Sequence, residues 1–301
     1  MIPEAVAQNR EHQARRERER MAGGRQALFA AGLREQYDLP YLDDGDPRHT
    51  LDLISPEEGG LLPVIVEIHG GAYIACEKNI NRLHARWFAH QGFHAVNGDY
   101  TLHPEGTFRQ NMQELADILS WVEENAPRYG FDTDRVYMSG DSAGGHLVLL
   151  YAMLQGNEAM RARWGTRLPG VRIRAAAATC PAARLRYDGP EAENPGVRAL
   201  AALMFPEGVS DGELDELDVL RLIPESKYPP LIVTATPSDE LLYRENEILA
   251  RTLEQNGRPY SYRRYTGKNA PLGHVFNVLF PEREESREAN EAIVEFFRAQ
   301  G

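Results

Sequence analysis

Short apolar runs rich in β-branched residues alternate along this chain with longer stretches whose apolar positions recur every three or four residues. The first pattern predicts buried strands and the second amphipathic helices. Leu62 to Ile68 (LPVIVEI) reads as a central strand and Phe93 to Asn97 as the next. Val136 to Met138 reads as the end of a third, with Arg172 to Cys180, Leu231 to Ala235 and Tyr260 to Tyr265 following. Between them Asn79 to Gln91, Phe108 to about Asn125, His146 to Met153 and Arg244 to Asn256 read as helices, and Glu284 to Ala299 closes the chain as another. In the helix from Phe108, the residues Met112, Leu115, Ile118, Leu119 and Val122 keep the spacing of one face. His49 to Ile54 alternates and predicts an edge strand before the turn Glu57-Glu58-Gly59-Gly60. Strands alternating with helices predict an α/β fold with a mostly parallel central sheet covered by helices on both faces. The expectation is one domain over residues 1–301.

Two segments leave this rhythm. Residues 1–36 are helical in composition within an expected N-terminal helical cap over 1–38, and Asn9 to Met21 interleaves five arginines with three glutamates. Glu11 and Arg15 stand at the spacing that supports a solvated helix, so this segment is expected to be charged on its outer face and to lie over a site as a helical cap. Residues 182–228 are rich in proline, acid and turn residues, with a short apolar stretch at Val197 to Phe205. They read as an insertion between strands that adds to the cap, with Asp211, Asp215 and Asp218 expected in water.

Composition narrows the function. The net charge of −12 argues against a nucleic-acid surface. Two cysteines, Cys76 and Cys180, provide no disulfide framework, and each follows an apolar run, which predicts buried reduced thiols. No stretch approaches the ~20 apolar residues of a membrane span, and the N-terminus lacks a signal-peptide core, so a cytoplasmic location is expected. There is no H-E-x-x-H, no paired cysteines, no Walker loop and no G-x-G-x-x-G. No metal and no cofactor are therefore expected.

The chemistry concentrates in Gly140-Asp141-Ser142-Ala143-Gly144, a G-x-S-x-G between a strand and a helix. A serine on so sharp a turn is strained, and a side chain two residues to either side would strike a neighbouring strand or helix. The turn also puts Ser142 at a helix N-terminus, where developing negative charge is favoured. A serine hydroxyl needs a base, and the base an orienting acid. Beyond His146 of the elbow helix, His274 is the sole remaining histidine, in the turn Pro271-Leu272-Gly273-His274. Asp239 follows the strand Leu231 to Ala235, at the end where open parallel sheets collect catalytic groups. Glu240 is adjacent and is the second choice for the acid. The His69-Gly70-Gly71 loop after the central strand offers backbone N–H groups for an oxyanion hole, so Gly70, Gly71 and Ala143 are the expected donors. His69 is expected to brace that loop.

Together, His69-Gly70-Gly71-Ala72, Gly140-Asp141-Ser142-Ala143-Gly144-Gly145 and Asp99-Tyr100-Thr101-Leu102-His103-Pro104 resemble the motifs of the hormone-sensitive-lipase-like group of α/β-hydrolase esterases, from about residue 62 to the C-terminus. The resemblance implies an α/β-hydrolase fold, a carboxylic ester hydrolase, a cap built partly from the N-terminal residues, and Asp99 as a support beside the oxyanion loop. The chain departs from that group at Ala72, where many members have a third glycine, and at Thr101, where they have arginine. It departs again at Asp239-Glu240-Leu241, where D-P-L is usual. The expected activity is a serine esterase with a small, soluble, short-chain ester as its partner. The alternatives are an arylformamidase-like amidase, whose family also carries H-G-G and G-x-S-x-G, and a non-catalytic binding protein on the same scaffold. His274 argues against the last. Oligomeric state stays open, a homodimer being one option.

Overall fold

The computed structural model describes residues 3–185 and 201–301; residues 186–200, with the first part of the Val197–Phe205 apolar stretch, lie outside the described residues. Among the described residues one sheet holds eight strands: β1 (Leu33–Pro40), β2 (Thr50–Pro56), β3 (Leu62–Ile68), β4 (His94–Gly98), β5 (Phe131–Asp141), β6 (Ile173–Thr179), β7 (Leu231–Ala235) and β8 (Tyr260–Arg264). Their order is β1-β2-β4-β3-β5-β6-β7-β8. The pairings of β1 with β2 and of β2 with β4 are antiparallel; all later ones are parallel.

Side chains alternate across the sheet, as a period of two requires. Val64, Val66 and Ile68 of β3 face one buried cluster, shared with α3 (Phe108–Tyr129) and α4 (Ser142–Gln155). Ile65 faces the other, shared with α2 (Arg82–His90) and the C-terminal helix Glu284–Arg298. Each fully buried aliphatic side chain of this kind contributes roughly 1.5–3 kcal/mol. β3 and β7 keep the bounds read from their apolar runs, because a strand buried on both faces is apolar throughout.

The structure corrects four readings. Leu33 to Asp38, part of the expected cap, belongs to strand β1, whose residues are mostly water-facing and so carry no apolar period. β2 is therefore not the edge: β1 pairs along its outer side. The arginines of α1 (Glu4–Met21) are not all solvated. Arg10 donates to the carbonyls of Ile74 and His103 and forks onto Glu105, and Arg20 donates to the carbonyls of Ile80 and Leu279. The helix thus straps the segment after the His69-Gly70-Gly71 loop to the segment after His274. Finally, Asp218 is buried and caps the short helix Val219–Leu222 through the N–H groups of Leu220 and Arg221. Burial pushes its carboxyl above the usual value, against those hydrogen bonds.

Candidate active site

Ser142 opens α4 directly from the end of β5, with φ of +51°. The two glycines flanking it are required by contact. A Cβ at Gly140 would lie 2.6 Å from the Gly144 carbonyl oxygen, and one at Gly144 would lie 2.1 Å from that of Ile68 at the end of β3. The spacing predicted both collisions; the structure supplies their partners, the helix for one glycine and the neighbouring strand for the other.

His274 comes from the turn before the short helix Phe276–Leu279, and Asp239 from the turn after β7. The Ser142 hydroxyl donates to His274 Nε2 at 2.9 Å, and His274 Nδ1 donates to Asp239 Oδ2 at 2.8 Å. Asp239 Oδ1 accepts the N–H groups of Leu241 and Leu242 at 3.0 and 3.2 Å. Burial alone would push the Asp239 carboxyl up, but His274 and these amides outweigh it and hold the group below the usual carboxylate value. Glu240 is exposed. The loop carrying His274 is fixed from beneath by a buried polar chain. Asn277 donates to Thr179 Oγ1 and to Asn290 Oδ1, and Asn290 shares its oxygen with His84, which pairs with Glu67 of β3.

The His69-Gly70-Gly71 loop lies against the elbow: a Cβ at Gly70 would sit 3.1 Å from Ser142 Cβ. The Gly70 N–H, however, donates to Asp141 Oδ1 at 3.1 Å, and the same oxygen accepts Asn81 Nδ2 at 2.9 Å. Gly70 is thus the anchor of the loop, and its amide already has an acceptor. Gly71 is the next residue of the loop, and Ala143 stands in the first turn of α4, where amides have no intrahelical acceptor. His69 is fully buried, stacks on Tyr100 and donates from Nδ1 to the Gly70 carbonyl at 2.6 Å. Asp99, 3.2 Å from His69 Nε2, accepts the N–H and the ammonium of Lys78 at 2.6 and 2.9 Å. Burial raises the Asp99 carboxyl, but His69 and Lys78 more than reverse it. Thr101, where an arginine is usual, is held by Glu114, which accepts both its hydroxyl and its N–H.

Tyr73, next along the loop, donates to His146 Nδ1 at 2.8 Å, and His146 Nε2 donates to the Leu217 carbonyl at 2.8 Å. His146 on α4 therefore ties the loop to the inserted segment. Burial lowers its imidazole to about 4. A cavity of about 570 Å³ lies beyond Phe108, whose ring packs on Tyr73, and is bounded by Trp164, Met204 and Phe205; neither Ser142 nor His274 lines it.

Among the described residues, one group has the donor spacing of a metal site: Cys180, Asp239 and His274, with one ligand atom each within 4.8 Å of the others. Burial pushes the Cys180 thiol far up, and a metal binds the thiolate. His274 and Asp239 already bond to each other. The donor set is matched to a proton chain rather than to a cation.

Residues 51–176 match the family profile BD-FAE. Esterase B from Lactobacillus rhamnosis, whose structure was solved with a tributyrin phosphonate, is similar over nearly the full length. Its TM-score is 0.88 at 26% identity, with 98% of this chain and 94% of that one covered. The chain has the α/β-hydrolase fold of these esterases, and its motifs are similar to those of the hormone-sensitive-lipase-like group. This hydrolase is also 35% identical over 99 residues to a carboxylesterase of Mycobacterium tuberculosis, covering 31% of this chain and 30% of that protein. A probable isoprenylcysteine alpha-carbonyl methylesterase of Arabidopsis thaliana is 36% identical over 128 residues, 42% of this chain and 30% of that protein. This hydrolase thus matches about a third or less of the length of these curated relatives.

Four residues of the hydrolase site escape sequence reasoning: Asp141, Asn81, Tyr73 and His146. Asp141 carried a signal, standing inside the G-x-S-x-G itself. The others act through partners far along the chain, which no local pattern records.

Proposed function

We propose that this hydrolase is a serine carboxylic ester hydrolase that works through an acyl-enzyme on small, soluble esters with short acyl groups. The observation that carries the reading is the continuous pair of hydrogen bonds from Ser142 through His274 to Asp239. In this reading the Ser142 oxygen attacks the ester carbonyl carbon while its proton passes to His274 Nε2. Asp239 holds the ring with Nδ1 protonated and stabilises the imidazolium that forms. The carbonyl oxygen becomes an oxyanion, held by the N–H groups of Gly71 and Ala143 with Gly70 as the loop's anchor. Removing one such donor typically costs about 3 kcal/mol of transition-state stabilisation. The intermediate expels the alcohol, which takes the proton from His274. Water then repeats the sequence on the acyl-enzyme and frees the acid. No other group is required.

The relatives' names support ester rather than amide substrates, and the tributyrin phosphonate bound to esterase B supports a short acyl group. The whole of 1–301 is read as one hydrolase domain, with 1–38 and 182–228 contributing the cap. Wild type and Ser142→Ala assayed on nitrophenyl acetate, butyrate, octanoate and palmitate, with a formanilide alongside, test the reading. kcat/KM is expected to peak at or below hexanoyl length and to fall by several orders of magnitude in the variant. Efficiency still rising beyond octanoate overturns the short-chain assignment, and preferred cleavage of the formanilide overturns the ester assignment.

A further inference from the structure

Ala72 and Tyr73, the two residues after Gly71, both hold left-handed backbone, at φ of +56° and +66°. Neither is glycine, so the reversal is strained and persists only because its surroundings fix it. Tyr73 is pinned at both ends. The His103 N–H donates to its carbonyl at 2.8 Å, and its hydroxyl donates to His146, one turn along α4 from Ser142. The buried Tyr73 ring meets Phe108 edge to face, with centroids 5.0 Å apart. Phe108 in turn packs on the His103 ring at 4.5 Å and on Phe205 at 6.1 Å. Behind Phe108 lies the cavity of about 570 Å³, to which Trp164, Met204, Phe205 and Leu217 give apolar walls. That volume falls within the range of about 300–1,000 Å³ that small-ligand pockets occupy. Neither Ser142 nor Tyr73 lines it.

We propose that Tyr73 and Phe108 form a two-ring partition that ends the acyl site and shuts this cavity off from it, so that the rings set the acyl length. The inference rests on the serine-esterase reading with its short acyl group. The leaving group assigns the acyl side. The alcohol takes its proton from His274, so it departs on the side from which that turn comes. Leu272 and Phe276, which flank His274, pack with Ala289 of the C-terminal helix. Tyr73 and Phe108 belong instead to the cluster on the α3 and α4 face of the sheet. The acyl chain therefore extends towards Tyr73. A short chain stops in front of that ring, and further methylenes find no wall to gain. With the partition open, each methylene that entered the cavity would be worth about fourfold in kcat/KM.

The test measures kcat/KM on nitrophenyl acetate, butyrate, octanoate and palmitate for wild type, Phe108→Ala, Val209→Trp and the double variant. Val209 lines the same cavity, and tryptophan in its place fills it. Phe108→Ala is expected to keep butyrate within about threefold and to raise the octanoate-to-butyrate ratio by at least about tenfold. Val209→Trp alone is expected to leave that ratio unchanged, and in the double variant to abolish the gain. Should Phe108→Ala not fold, Phe108→Leu removes less volume and is expected to show the same gain in smaller measure. An unchanged ratio in the folded Phe108 variants, or a gain that survives the filled cavity, overturns the partition. A gain confined to butyrate esters of long alcohols overturns the acyl assignment. Wild type already climbing to octanoate would instead overturn the short-acyl reading beneath the inference.

Discussion

Asp141 stands between the strand that ends and Ser142, the proposed nucleophile, and one of its oxygens accepts both the Gly70 N–H and the Asn81 amide. A carboxylate in that place fixes the distance between the loop of Gly71 and the hydroxyl of Ser142, a separation that positioning can make worth orders of magnitude. Asp141→Ala leaves two buried donors without their acceptor, at a cost of about 1–3 kcal/mol each in stability terms. The expected kinetic result is a kcat lower by about 10- to 100-fold with a smaller change in KM, read from saturation curves on a short-chain ester. An unchanged kcat in a folded variant would show that the loop keeps its place without the brace.

Elements, rather than residues, connect the segment around Leu217 to the elbow. His146 on α4 receives the Tyr73 hydroxyl and donates to the Leu217 carbonyl, joining the loop after β3, the elbow helix and the segment around Leu217. It does so only as a neutral ring. Its folded value, about 4, lies below the 6.5 of a free imidazole, so the unfolded chain binds more protons between those limits. Stability from this group is complete above roughly pH 6.5 and is lost as pH falls towards 4, by at most about 3 kcal/mol. In His146→Gln, which can keep both hydrogen bonds without a titratable ring, urea midpoints measured between pH 7 and 4.5 should fall less steeply. The slope that remains belongs partly to His94 and His103, both also lowered by burial. An identical slope in the variant would place the proton uptake elsewhere. The elements that the sequence made legible are those whose burial is uniform, such as β3 and β7. β1 escaped because only Leu33 of its eight residues is buried. The inward arginines of α1 escaped because apolar periodicity records hydrophobic faces and not guanidinium forks reaching backbone carbonyls. That Ser142, His274 and Asp239 would lie together was legible for steric and arithmetical reasons: the elbow demands its glycines, and few histidines remain after it. The braces were not, since Gly70 and Asp141 meet across 71 residues of chain, and Tyr73 and His146 across 73.

Across the whole molecule, the sheet order places β3 beside β5 and β7 two strands beyond, so the Gly70-Gly71 loop, the elbow and the Asp239 turn all leave from carboxyl ends of strands at one side of the sheet. Arg10 and Arg20 of α1 bond the Ile74 and Ile80 carbonyls after that loop, and the Leu217 carbonyl accepts from His146 on the elbow helix. No helix among the described residues is long and apolar enough to cross a membrane. With a net charge of −12 the molecule is repelled by anionic lipid surfaces, so adding anionic vesicles should not activate hydrolysis of a soluble butyrate ester. Activation there would point to a cap that opens on lipid. The central claim is that Ser142 carries the acyl group. Incubating the protein with a phosphonate ester and mapping the adduct by peptide mass spectrometry tests it most directly. One adduct on Ser142, absent from Ser142→Ala together with turnover, is the predicted result; an adduct on another residue, or undiminished turnover by Ser142→Ala, would contradict it.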